Sequence, residues 1–237
     1  NPPAAFFTVV FPLMFLVVFN LLFGNYEMTV QEGTTPISTF YIPAVIVLSI
    51  ISASYTNVAM RICISREQGV LKRVRGTPLP GWAFLFGRIA HGVVISVLLV
   101  TTITLCGFLF LGVNPNPNTI LPFVCTLVIG ATTFSALGVA VTVAVPNADS
   151  APAIVNASVL PLLFISNVFI PMHFAPQWIN LLANIFPISH FSAALQTSFN
   201  PYENNAGFEV VHLGFMCLWM LLGVLVAIRF FSWDPRK

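Results

Sequence analysis

Charge is what this sequence has least of. Asp, Glu, Lys and Arg together make up 7% of its 237 residues, where a soluble domain carries about 25%. A water-soluble fold must cover its surface with polar groups, so a soluble globular protein is excluded. Lysine is scarcer still. Lys72 is followed by Arg73 and Lys237 is terminal, so no G-x-x-x-x-G-K-[ST] cradle for nucleotide phosphates can be written. H-E-x-x-H, a G-x-S-x-G elbow and paired cysteines are also missing, which removes the common zinc-peptidase, hydrolase and dithiol chemistries. Cys63, Cys106, Cys125 and Cys217 stand singly, mostly inside apolar runs, and read as small buried apolar residues. No metal site is predicted, and no catalytic residue.

Acids are absent from the interior of every long apolar run. Glu27, Glu32, Glu67, Asp149, Glu203, Glu209 and Asp234 all lie in connections or near the C-terminal end. Carriers driven by protons or sodium usually place ionisable groups near the bilayer midplane. Uphill transport by this chain would therefore draw its energy from elsewhere.

Apolar residues are what the sequence has in abundance. They reach 57%, with 23 Phe and a mean hydropathy of +0.93. Six runs approach the ~20 residues that cross a bilayer: about 4–24, 39–60, 89–112, 120–145, 153–170 and 208–231. In lipid each must be a helix, because every backbone polar group needs an internal partner. The expected fold is an all-α integral membrane protein forming one transmembrane domain over 1–237. Arg61, Arg66, Lys72, Arg73, Arg75 and Arg88 cluster in 61–88, and Arg229, Arg236 and Lys237 near the C-terminus. Since positive short loops stay in the cytoplasm, both termini and the 61–88 loop are placed inside, with Glu27, Glu32, Glu203 and Glu209 outside. Residues 171–207 are too apolar for an exposed loop, yet Pro171, Pro176, Pro187 and Pro201 cut them into pieces too short to span. An outer re-entrant or interfacial element is predicted there, with a seventh span broken at Pro187 as the alternative. Arg88 is expected to snorkel, and His91, His173, His190 and His212 to make interfacial hydrogen bonds rather than relay protons.

Two patterns remain. In the second run, Ser49, Ser52, Ala53, Thr56 and Asn57 fall at i, i+3, i+4, i+7 and i+8, one small polar stripe on a regular helix. Close helix packing and the lining of a path both account for it. The other is the most charged stretch, "REQGVLKRVRGTPLP" (66–80). A helix over 66–76 would set Val70, Leu71 and Val74 together and spread basic groups around them, with Thr77-Pro78-Leu79-Pro80 stopping it. Such a helix suits either an anchor on anionic headgroups or a docking element for a cytoplasmic partner.

The order R-E-x-G-x-L-K-R-x-R-x-T-P after a second span resembles the first cytoplasmic loop of type-2 ABC exporter permeases, the ABC-2 membrane family. "NPPAAFFTVVFPLMFLVVFNLLFG" (1–24) looks like that family's opening span. "FISNVFIPMHFAPQWINLLANIFPISHFSAALQ" (164–196) is similar to its outer re-entrant element. The likeness covers essentially the whole chain and looks strongest to actinobacterial permeases of the daunorubicin-resistance type. Family members carry an amphipathic helix ahead of the first span, for which residues 1–3 are too few.

The resemblance implies a non-enzymatic permease subunit in the inner (cytoplasmic) membrane of a bacterium. Two such subunits, identical or related, would pair with two separate ABC ATPase subunits that bind ATP and Mg, and export an amphipathic drug or lipid. Nucleic acid has no part in it. The 66–76 helix would be the coupling helix: Arg66, Glu67, Lys72, Arg73 and Arg75 would contact the ATPase and Val70, Leu71 and Val74 would enter its groove. Gly69, Thr77 and Pro78 would belong to the same ATPase-coupling segment. Ser49, Ser52, Thr56 and Asn57 of the second span would line the path, with Asn156, Phe164 and Asn167 of the fifth. Pro171, Pro176, Trp178 and Pro187 would build the outer element. The competing readings are a secondary carrier or channel not driven by ATP, and a scaffold whose basic loop recruits a partner.

Overall fold

A computed structural model describes residues 10–24, 26–30, 33–111, 117–166, 168, 176–200 and 207–233. Among them the helices are α1 (Phe11–Phe23), α2 (Ser38–Glu67), α3 (Val70–Arg75), α4 (Gly81–Leu111), α5 (Ile120–Val141), α6 (Ala151–Phe164), α7 (Gln177–Ala183), α8 (Pro187–Phe199) and α9 (Val210–Phe230). Among the described residues the departure from an all-helical structure is a hairpin, β1 (Glu27–Val30) against β2 (Gly33–Pro36), paired antiparallel from Glu27↔Pro36 to Val30↔Gly33. It falls in the polar link between two apolar runs, where pairing satisfies backbone groups that no helix takes up.

Among the described residues, four helices are long and apolar enough to cross a membrane: α2, α4, α5 and α9. The α7–α8 pair makes a fifth only if counted as one span, and it is bent by 94°. α1 and α6, of 13 and 14 residues, are shorter apolar helices. They carry the described parts of the first and fifth predicted runs; residues 4–9, 167 and 169–170 lie outside the described residues. The charged tail of the second run does not end its helix. α2 continues to Glu67, and α4 starts at Gly81, directly after Pro80 and well before the apolar run that predicted it.

α5 packs against α2, α4, α8 and α9. Burial follows from that position: 72% of the apolar window of α2 and 56% of that of α5 are inside, against 33% for α4 and 17% for α9. The outer faces of α4 and α9 are nevertheless apolar, with Leu98, Leu105, Val211, Leu221, Leu225 and Ile228 exposed. A contiguous belt of that kind far exceeds what a soluble monomer tolerates, so its solvent is hydrocarbon.

Close approach sets the centre of the bundle. Residues Ile51–Thr56 of α2 form a π-helical turn, and Gly138 of α5 lies directly against it. A Cβ at Gly138 would sit 2.7 Å from the Tyr55 carbonyl oxygen and 3.0 Å from its Cα. Glycine at that point lets two membrane helices meet backbone to backbone.

Candidate functional site

The basic segment 66–80 folds differently from one continuous helix. Arg66 and Glu67 close the last turn of α2, Gly69 adopts φ 70°, and only Val70–Arg75 form α3. The left-handed conformation that glycine accepts without penalty is what breaks the helix. Gly76 follows, the Thr77 hydroxyl donates to the Val74 carbonyl at 2.6 Å, and Pro78 and Pro80 lead straight into α4. The predicted stop is therefore at Thr77–Pro80 as expected, while the predicted start is not at Arg66.

Burial then divides the segment. Leu71 is 0% exposed, set in a second apolar cluster with Val58, Ile62, Leu85, Val139 and Ala227. It cannot also enter a partner's groove, because it holds α3 to the ends of α2, α4, α5 and α9. Val70, Lys72, Arg73 and Arg75 are exposed, and Val74 is half-buried. Arg66 is 2% exposed. Its guanidinium donates to the carbonyls of Thr142, at 3.2 Å, and Val145, capping the C-terminal end of α5 where helical carbonyls lack partners. Next to it, Glu67 Oε2 accepts the Ala148 amide at 3.0 Å. Arg66 is thus an internal cap and not a surface contact; burying an arginine needs such fixed acceptors.

Aromatic groups complete this end. Trp233 packs on Phe84 at 5.4 Å and on Phe231 at 5.1 Å, and approaches Gly81 so closely that a Cβ there would lie 3.0 Å from its ring. Arg88 lies over the Phe84 ring at 5.1 Å, a cation–π contact in the place where snorkelling was expected.

The polar stripe of the second run does not survive as one face. Ser49 is 0% exposed and donates to the Val45 carbonyl at 2.6 Å, so it lines no path. The π turn shifts the helical phase between Ile51 and Thr56, which a 3.6-residue period does not anticipate. Ser52, Thr56 and Asn57 remain half-exposed, and the Asn57 Oδ1 accepts from Arg61 Nε at 2.6 Å. Residues outside the stripe do the cross-helix bonding instead. Ser54 meets Ser96 of α4 at 2.6 Å, and the Tyr55 hydroxyl donates to Ser158 of α6 at 2.6 Å. A cavity of about 220 Å³ adjoins this last pair, lined by Tyr55, Phe134, Ser158, Leu162, Phe186 and Trp219. On α6, Asn156 and Phe164 are exposed, whereas Val155, Val159 and Leu163 hold the helix to the bundle. Asn167 lies outside the described residues.

At the opposite end, Pro176 precedes α7, Trp178 is exposed on it, and Pro187 opens α8; Pro171 and His173 lie outside the described residues. The corner is bolted to α9. Trp219 Nε1 donates to the Ile185 carbonyl at 2.9 Å, and His190 stacks on Phe215 with ring centroids 4.5 Å apart. His190 Nε2 donates to the Asn184 carbonyl at 2.9 Å, which leaves its Nδ1 to accept from His212 Nδ1 at 2.8 Å. Both histidines make the structural bonds expected of them. Among the described residues, no three His, Cys, Asp or Glu side chains gather as a metal site would require.

Comparison with known proteins gives this geometry its family. The ABC-2 type transporter profile matches residues 1–200. The chain is 29% identical over 184 residues to the transport permease ycf38 of Cyanophora paradoxa, covering 76% of this chain and 62% of the relative. It is 29% identical over 195 residues to the daunorubicin resistance ABC transporter permease protein DrrB1 of Streptomyces coeruleorubidus, covering 78% and 65%. With the inner membrane transport permease YadH of Escherichia coli (strain K12) it shares 22% identity over 195 residues, covering 81% and 75%. The chain spans 62% of the length of the ycf38 relatives from Cyanophora paradoxa and Porphyra purpurea. With a profile match over residues 1–200 and a helical bundle whose belt is made for lipid, the chain belongs to the ABC-2 type transporter family, the membrane permease component of ABC transporters.

Proposed function

We propose that this chain is the permease subunit of an ATP-driven exporter, with the energy supplied by separate ABC ATPase subunits that bind ATP and Mg. Two permeases, identical or related, would form the membrane path, each as a single domain contributing six spans with both termini and the 66–80 segment on the cytoplasmic face of the membrane. α1 and α6 would be two of the six, and the α7–α8 corner a re-entrant element on the outer side. The cargo is an amphipathic drug or lipid, and the membrane a bacterial inner membrane. The path is lined by the half-exposed Ser52, Thr56 and Asn57 of α2 and by Asn156 and Phe164 of α6.

One observation carries this reading. α3 exposes Val70, Lys72, Arg73 and Arg75 from a base fixed by Leu71, so a basic, partly apolar helix is held rigidly at one end of a bundle otherwise poor in charge. A rigid handle is what an external motor needs, and the sequence contains no nucleotide cradle of its own. The test is to purify the tagged permease from membranes of its own host and to probe the preparation for a co-purifying ABC ATPase. Wild type is expected to retain the ATPase in stoichiometric amounts, and Lys72→Glu with Arg73→Glu to lose it. Undiminished capture and ATP-dependent efflux in that double variant would refute the coupling assignment.

A further inference from the structure

Two residues of the basic segment, the buried Arg66 and the exposed Glu67, bond within the chain, and their contacts connect parts of it far apart in sequence. Arg66 reaches the Thr142 and Val145 carbonyls, and Glu67 the Ala148 amide. All three groups belong to the turn that joins α5 to α6. That turn leads into α6, a helix with one buried side. α6 is held by one stripe, Ala151, Val155, Val159 and Leu163, at successive intervals of four residues. Most of its remaining surface, including Asn156 and Phe164, is exposed.

We infer that Arg66 and Glu67 form a transmission brace that steers α6 from the coupling helix, and that neither is a docking contact. The inference rests on the coupling reading above and assigns it a route. Only Gln68 and Gly69 separate Glu67 from α3, so a displacement of α3 is delivered to the end of α2 within two residues. From there it passes through one bidentate arginine and one carboxylate to residues 142–148. Leu71, packed against Val139 of α5, drives the same end of α5 in parallel. The geometry suits a push as well as a pull. A guanidinium bridging two carbonyls resists rotation in a way a single ammonium does not, and the Glu67–Ala148 bond fixes where the turn sits relative to that pivot. The mobile part of the cargo path is then α6, moved at its Ala151 end, while the buried body of α2 ahead of its last turn stays fixed.

The experiment uses the permease–ATPase complex in lipid vesicles. Glu67→Ala removes the acceptor at an exposed position, where folding is not at stake. Glu67→Gln keeps a side-chain oxygen for the Ala148 amide, and Arg66→Lys keeps the charge without the fork. For Glu67→Ala and Arg66→Lys, ATPase capture should persist while cargo moved per ATP hydrolysed falls about tenfold, the upper range of a coupling change from such a network. Glu67→Gln should stay within roughly twofold of wild type, since it conserves the hydrogen bond. Wild-type efflux per ATP in Glu67→Ala would overturn the inference, as would loss of ATPase capture in that variant, because Glu67 would then be a docking residue. A wild-type chain that captures no ATPase would refute the coupling reading instead. The brace is then judged in the permease alone: amide exchange across 146–150 should rise about tenfold in Glu67→Ala, and unchanged exchange would refute it.

Discussion

Replacing Gly138 by alanine adds a single carbon at the point where α5 meets the π turn of α2. That carbon would lie 2.7 Å from the Tyr55 carbonyl oxygen, 3.0 Å from Tyr55 Cα and 3.1 Å from the Ser54 carbonyl oxygen. Comfortable contacts begin at about 3.5 Å, so the helices must part by roughly 0.8 Å at this level. All three neighbours are backbone atoms, and none can swing aside. Overpacking of this kind costs about 1–3 kcal/mol, against which alanine regains roughly 0.5–1 kcal/mol of helix propensity. Gly214→Ala in α9 is the matched control, because a Cβ there meets nothing within 4 Å and only the propensity gain remains. In lipid nanodiscs the Gly138→Ala midpoint of thermal unfolding should lie below wild type and that of Gly214→Ala at or above it. The two variants should differ by roughly 2–12 °C for a chain of this size. Equal midpoints would mean that α2 and α5 do not approach at Tyr55, and the packing argument for the π turn would fall.

Two further outcomes follow from the same contacts. Leu71→Ala removes the side chain that seats α3 on Val58, Ile62, Leu85, Val139 and Ala227. A buried leucine truncation costs about 2–5 kcal/mol where the site cannot collapse, so α3 should undock and trypsin should cut faster after Lys72, Arg73 and Arg75; an unchanged cleavage rate would contradict the burial. The Ser54–Ser96 bond, at 2.6 Å between fully buried hydroxyls, should show a coupling of about 0.6 kcal/mol, and at most about 1.7, in a double-alanine cycle. Strictly additive single variants would show that the pair does not interact.

Membrane residence was legible in the sequence because it is a bulk property. A chain this poor in charge has no soluble surface to offer, and runs near 20 residues in lipid have only the helix open to them. The basic 61–88 segment, the helix stop at Thr77–Pro80 and the break around Pro187 were legible too, since proline and charge act locally. Their consequences in space were not. Nothing in "REQG" distinguishes an arginine facing a partner from one capping a helix 76 positions away, because the Thr142 and Val145 carbonyls meet Arg66 only after α5 has packed beside α2. The polar stripe at Ser49–Asn57 assumed a period of 3.6, which holds in a regular helix and fails across the π turn that Gly138 supports. The bonding partners Ser54–Ser96 and Tyr55–Ser158 lie 42 and 103 residues apart, beyond any local pattern. The sequence by itself determined the solvent, the helical character of the long apolar runs and the end of the bundle that carries charge, all of which follow from hydropathy and single-residue backbone preferences. The tertiary structure alone decided which charges face outward and which brace the interior, because that depends on how closely two helices approach, and a glycine sets that distance.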